Sequence, residues 1–318
     1  MDRLDQARLD FHTARRKAFW NEIASFLSGR PNRLLSWDEV RDKLGVRGQV
    51  YRGLQTVPVD KVIGSVGRYR DFDRAFLPTQ DGTADRWCSI ARAHYDAVNL
   101  PPVKLYRVGD AYFVLDGNHR VSVAREHAIE FLDAEVIEAD TRVPVTAELD
   151  ADDLEIKGEY ARFLERTRLD ELRPDPRVEF TIGGGYERLL EHIAVHRYFL
   201  GLEQQRFIPE DEAVGDWYDN VYLPLVRIIR EQDVLADFPH RTEADLYLWI
   251  IDHQHYLRER FGQGVQAEQA AEHFADHYTT RPVKRIWRVI RNLVGGQSDE
   301  EEFGAGDTEQ VCDGREER

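Results

Sequence analysis

From Asp116 to Arg120 the chain sets a carboxylate, a glycine, an amide, an imidazole and a guanidinium side by side. The apolar run Tyr112-Phe113-Val114-Leu115 ahead of them reads as a strand, and Val121-Ser122-Val123-Ala124 after them opens a helix. A helix N-terminus offers unpaired N–H groups and a partial positive charge. With His119 and Arg120 added, such a start is suited to an anion, and phosphate best of all. Gly117 lets the backbone turn sharply and lets a ligand come close. Ser122, further into the helix, is a further candidate phosphate contact. Each residue also has a plainer reading: Asp before Gly is ordinary turn chemistry, and an imidazole or serine in the first turns can simply cap or pack.

Histidines form a second set. His192 and His196 are four apart, as are His273 and His277, and His253 and His255 flank Gln254. Helical spacing puts each four-apart pair on one face, as zinc sites require. None matches His-Glu-x-x-His, so amphipathic faces explain them more cheaply and no metal site is expected.

The elements around the turn follow from periodicity. Residues 3–28 read as a helix stopped by Gly29-Arg30-Pro31, and Ser36 starts a short helix that Gly45 ends, with Glu39 at capping-box distance. Residues 55–63 read as a strand and turn, 64–77 as a loop with glycines and arginines, and 83–98 as a helix. Val103–Val108 and Ala111–Leu115 form a hairpin about Gly109-Asp110. A helix over 119–128 and a returning strand over 131–137 complete a small sheet. From residue 150 the pattern is helical: 151–168, 184–200, 210–231, 242–261, 265–279 and 282–294, with Thr242 capping and Asp245 three residues on. Trp217, Tyr218, Tyr222, Tyr247, Trp249, Tyr256 and Trp287 load this half with core aromatics.

The 318 residues suffice for two domains. The expected organisation is an N-terminal helical arm (1–50), an α+β domain (51–147), an all-α domain (148–294) and a disordered acidic tail (295–318). Cys88 and Cys312 are the only cysteines, which excludes a disulfide framework and suits a reducing cytoplasm. No apolar run is long enough for a membrane span, and the charged N-terminal stretch lacks the core of a secretory signal. The net charge of −16 opposes tight binding to nucleic acid. Arg41, Lys43, Arg47, Arg52, Lys61, Arg68, Arg70 and Arg74 could still form a local basic patch, against the default of a solvated surface.

Residues 55–140 resemble the ParB/sulfiredoxin superfamily. The resemblance rests on Val57-Pro58-Val59-Asp60-Lys61-Val62-Ile63, the arginine-bearing loop at 67–74, and Asp116-Gly117-Asn118-His119-Arg120. It implies an α+β fold whose G-x-x-R turn, here Gly117-Asn118-His119-Arg120, cradles nucleotide phosphates, with Arg68 assisting. Asn118 stands where sulfiredoxins carry their nucleophilic cysteine, so sulfiredoxin chemistry is not expected. ParB proteins bind CTP and carry a helix-turn-helix domain, and no basic recognition helix follows Val145 here. A third branch phosphorylates free serine from a turn similar to this one. There Arg120 and the helix amides would hold phosphate, Asp116 would position a hydroxyl or take its proton, and Asp73 (or Asp71) would supply an upstream acid. The helical half is similar to a domain of unknown function that follows ParB-like modules, on Asp216-Trp217-Tyr218-Asp219-Asn220 and Phe238-Pro239-His240-Arg241-Thr242.

These readings imply a nucleoside triphosphate, CTP or ATP, with Mg2+ as ligand. The expected function is a nucleotide-dependent switch or slow NTPase with a regulatory role. A small-molecule kinase and a ParB-like DNA-binding regulator are the alternatives. Expected partners are the nucleotide, a protein docked on the helical half and a second copy of the chain. DNA is not favoured, and no membrane is expected.

Overall fold

The computed structural model describes residues 2–29, 31–261 and 269. The helices expected over 265–279 and 282–294, the tail from 295 and the pair His273/His277 lie outside the described residues.

The chain is an α/β protein with one six-stranded mixed sheet and several helices. Helix α1 (Arg3–Ser28) ends at Gly29, whose φ is 69°. Strand β1 (Leu35–Ser36) leads into α2 (Trp37–Leu44), with Ser36 at its N-cap and left-handed Gly45 at its C-cap. Then come β2 (Arg47–Pro58), β3 (Val62–Ser65), α3 (Ala84–Tyr95), β4 (Val103–Val108), β5 (Ala111–Asp116), α4 (Asn118–Glu126) and β6 (Phe131–Asp140). The strand order is β1-β3-β5-β4-β6-β2. β4 and β5 form the expected hairpin, with Val108 opposite Ala111.

Two findings differ from the expected layout. β1 and the start of β2 lie inside residues 1–50, expected as a helical arm. The first residues of β2 are exposed and show no alternation, because pairing with β6, and not burial, holds them extended. That leaves no apolar period in the sequence to read.

Alternation sorts the central strands between two cores. In β5, Tyr112 and Val114 face Phe72, Phe76, Val121 and Ala124 on the α4 side. Ala111 and Phe113 face the other way, into a cluster shared with Trp37, Val40 and the helices after residue 150. Helix α1 lays Ala7, Phe11, Ala14 and Ala18 on Trp87, Cys88 and Ala91 of α3. Removing a ring such as Trp87, which is fully buried, costs roughly 3–5 kcal/mol in such a core.

Every described element from α5 (Ala151–Thr167) onward is helical: α6 (Leu169–Leu172), α7 (Gly185–Gln204), α8 (Glu210–Trp217), α9 (Leu223–Glu231) and α10 (Glu243–Phe261). The single helix expected over 210–231 is continuous but widens into a π turn at Tyr218–Tyr222. Pro224 follows one residue later; lacking an N–H, it cannot bond back into a regular α turn, and the wider turn absorbs that gap. Trp217, Tyr222 and Tyr247 form the centre, with Trp217 Nε1 donating to Tyr247 Oη at 3.2 Å. Thr242 and Asp245 cap α10 reciprocally: Thr242 N donates to Asp245 Oδ2 at 2.9 Å and Asp245 N to Thr242 Oγ1 at 3.3 Å.

Candidate functional site

Strand β5 delivers Asp116 to the carboxyl edge of the sheet. Gly117 turns the chain with φ 110°, and α4 begins at Asn118 with no side chain capping its amides. A Cβ at Gly117 would sit 2.7 Å from Val103 Cγ1 and 3.0 Å from Arg120 Nε. Both the backbone angle and the space therefore require glycine. The helix start opens into a cleft of about 290 Å3 lined by Gly67, Arg68, Arg86, Ile90 and Leu115 through Arg120.

Arg120 is fixed rather than loose. Its Nη2 lies 2.6 Å from Asp116 Oδ2, and its Nη1 donates to the carbonyls of Pro101 and Pro102. Asp116 sits at the rim with its side chain 61% exposed, against 13% for Arg120. Arg68, held at φ 54°, faces the same cleft and pairs with Asp71 at 3.3 Å. Arg86 has no ion pair among the described residues. Three guanidiniums thus border an uncapped helix start, and the local field favours an anion.

His119 is 6% exposed, and its ring meets Phe72 edge-on at 5.4 Å. Neither ring nitrogen has a hydrogen-bond partner, nor does the buried Asn118 Oδ1. Burial first, then Arg68 and Arg86, push the His119 pKa down to about 4. At neutral pH the imidazole is therefore uncharged and offers one donor and one acceptor, not a cation. Buried polar atoms are nearly always paired, so bare ones beside a cleft point to a ligand or water there.

Two other candidates lie elsewhere. Ser122 is fully buried, its Oγ accepting from Trp87 Nε1 at 2.9 Å, and does not line the cleft. Asp73 is also buried: Oδ2 accepts from Asn21 Nδ2 at 2.9 Å and Oδ1 from Leu77 N at 2.8 Å. Burial raises its pKa, with those hydrogen bonds opposing. It closes the 73–77 turn and is not among the cleft residues. The sequence reading missed Arg86 and Ile90. Their i, i+4 spacing on α3 was visible, but the direction of that face depends on how α3 docks against α1.

A larger cavity, about 1180 Å3, lies between α1, the start of α2 and residues 69–81. Its charges are mixed and partly satisfied among themselves, Arg15 with Asp81 at 3.0 Å and Arg33 with Glu39 at 3.6 Å. Convergent unpaired polar groups, not volume, mark the smaller cleft as the better candidate. Phe72 lines the large cavity and, through its contact with His119, separates the two.

The basic residues of the N-terminal third are mostly engaged. Arg41 pairs with Asp38 and Asp42, Lys43 with Glu155, Arg47 with Glu165, Arg52 with Glu138 and Lys61 with Asp110. Arg74 donates to the carbonyls of Glu148 and Leu149. His192 turns toward Tyr247, whereas His196 meets Asp216 at 2.7 Å. Among the described residues no group of three or more candidate ligands could hold a metal ion, and no helix is long and apolar enough to cross a membrane.

No protein-family model matches the chain, and no curated protein matches it.

Proposed function

We propose that the chain binds the phosphate groups of a nucleotide at the start of α4 and acts as a nucleoside triphosphate-dependent switch or slow NTPase. The observation that carries this is the uncapped α4 N-terminus facing Arg68, Arg86 and Arg120, with the buried atoms of Asn118 and His119 unpartnered beside it. The cleft, about 290 Å3, has room for phosphate groups, and Ile90 and Leu115 give its lining apolar surface. The resemblance of the turn to the ParB/sulfiredoxin G-x-x-R pattern supports the same ligand, CTP or ATP. Mg2+ would ride on the phosphates: the lining carboxylate is Asp116, already paired with Arg120, so the protein alone offers no cage. The helical half would present the state of the cleft to a protein partner or a second copy.

A free-serine-type kinase is the second reading. The exposed Asp116 favours it, since a rim carboxylate can accept a hydroxyl proton beside a held phosphate. It has no second acid from Asp73, whose oxygens are occupied by Asn21 and Leu77.

The test is a thermal-shift panel of ATP, ADP, CTP, GTP, UTP and inorganic triphosphate with Mg2+, on the parent, Arg86→Ala and Arg120→Ala. Binding to the native state raises its melting temperature by mass action. A shift for one nucleotide, lost in both variants, supports the proposal. CTP would favour a switch, and ATP consumed only with an acceptor hydroxyl would favour the kinase. No shift with any of them sinks both.

A further inference from the structure

Helix α7 is apolar on two opposite sides. Tyr186, Leu189, Ile193 and Leu200 are buried in or beside the helical core. On the other side Val195, Tyr198, Phe199 and Leu202 are all more than half exposed, at 56, 64, 61 and 58%. Their spacing, i, i+3, i+4 and i+7, makes one stripe. Glu187 and Glu191 continue the stripe toward the helix start and Glu203 flanks it. All three are exposed and hold no ion pair among the described residues. A helix apolar all round belongs in an interior, so this face needs a cover that is apolar and positively charged.

The chain carries one such segment, outside the described residues. Between Asp276 and Asp299 there is no acidic residue, although the protein as a whole carries −16. Placed on a helix, Val283, Ile286, Trp287, Ile290, Leu293 and Val294 fall on one side. Lys284, Arg285, Arg288 and Arg291 fall on the other, with Arg281 just ahead.

We propose that residues 282–294 dock along the bare face of α7 in the same molecule. The apolar stripes would meet, and the long side chains of Lys284 and Arg291, at the edge of the segment's apolar side, would reach round to the glutamates that continue and flank the α7 stripe. Reach permits it. α10 runs antiparallel along α7, Arg188 pairing with Asp252 and His192 lying beside Tyr247. Phe261 therefore lies roughly 13 Å beyond the level of Arg188, and Val195–Leu202 about 16 Å the other way. The residues between 261 and 282 span up to ~66 Å. Charge selects the face. Helix α1 also bares apolar residues, Phe19, Trp20, Phe26 and Leu27, but Arg8 and Arg16 lie exposed on that side and would repel a basic segment.

The test uses the full chain with Cys312→Ser and Tyr198→Cys, the native Cys88 being buried. Thiol labelling should be at least tenfold slower than after adding Ile286→Glu and Ile290→Glu, and should speed up in high salt. In a Val195→Cys, Ile290→Cys chain a short bifunctional thiol reagent should give a crosslink within one molecule. Fast labelling in the first variant, unchanged by the second substitutions, overturns the proposal. A crosslink found only between molecules overturns it in favour of a second copy. Fast labelling with capture of residues 282–294 by anionic phospholipid vesicles overturns it in favour of a membrane surface.

Discussion

Arg120 reaches back over Gly117 to set Nη2 2.6 Å from Asp116 Oδ2, so the candidate phosphate ligand is already held by a carboxylate at the cleft rim. The pair has two consequences. It fixes the guanidinium in advance, which lowers the ordering cost of binding. It also leaves a negative charge where an anion would arrive. Asp116→Asn should therefore tighten binding of triphosphate by roughly threefold to tenfold, the worth of one partly screened charge at such a distance. If Asp116 also accepts a proton from an acceptor or water, turnover should fall as affinity rises. Calorimetric titration alongside a phosphate-release assay separates the two. Weaker binding in Asp116→Asn would mean that the carboxylate positions the ligand instead of competing with it.

His119 sets a pH dependence. In the unfolded chain an imidazole titrates near 6.5, and in the fold it takes its proton only near pH 4. Between these values the unfolded state binds more protons, so stability falls as pH drops from about 6.5 toward 4. The loss should approach roughly 2–3 kcal/mol. His127 and His192 are shifted the same way by burial, so the informative quantity is the difference between the parent and His119→Gln. Denaturant melts from pH 7.5 to 4.5 should show a shallower slope in the variant. Bound phosphate should raise the His119 midpoint, read from its ring resonances by NMR. A midpoint unmoved by saturating ligand would place the anion away from this ring.

Ser122 separates structure from binding. Its hydroxyl is the acceptor for Trp87 Nε1 in a site closed to solvent. Ser122→Ala leaves that N–H bare and should cost about 1–3 kcal/mol. Nucleotide affinity should stay within twofold, because the side chain does not line the cleft. A large loss of affinity with intact stability would return Ser122 to the site.

The sequence made the turn legible because its signals are local. Gly117 between a strand period and a helix period fixes where the uncapped α4 amides are, and Gly29, Gly45 and the Thr242/Asp245 pair fix helix ends in the same way. What stayed hidden depends on packing. Arg86 joins Arg120 only because α1 presses α3 down through Phe11 and Trp87, rings 5.6 Å apart. Asp73 reads as a candidate acid in sequence, yet its carboxylate closes a turn, since Asn21 reaches it from a distant helix. The neutral state of His119 follows from its burial and from two arginines contributed by separate elements, which no spacing within the turn discloses.

Asp245 ties the start of α10 to the loop before α7. Beyond capping Thr242 N, its carboxylate accepts from Thr181 N at 3.2 Å and from Thr181 Oγ1 at 2.7 Å, and the residue is 1% exposed. Asp245→Ala removes every acceptor at once and strips three part-buried donors, Thr181 N, Thr181 Oγ1 and Thr242 N, of their partner, at a cost of roughly 1–3 kcal/mol. Thr242→Ala removes one reciprocal bond at the same cap and should cost about 0.5–2 kcal/mol. Asp245→Asn keeps an acceptor and the shape, and should fall between the parent and Asp245→Ala. Urea melts read this order, with an unchanged slope showing that the same surface unfolds in each. The cleft at α4 lies on other elements, so all three variants should keep the parent's nucleotide-induced shift. An Asp245→Ala protein as stable as the parent would mean that these donors find water in the fold, and the carboxylate would then not be what holds α10 to the 181 loop.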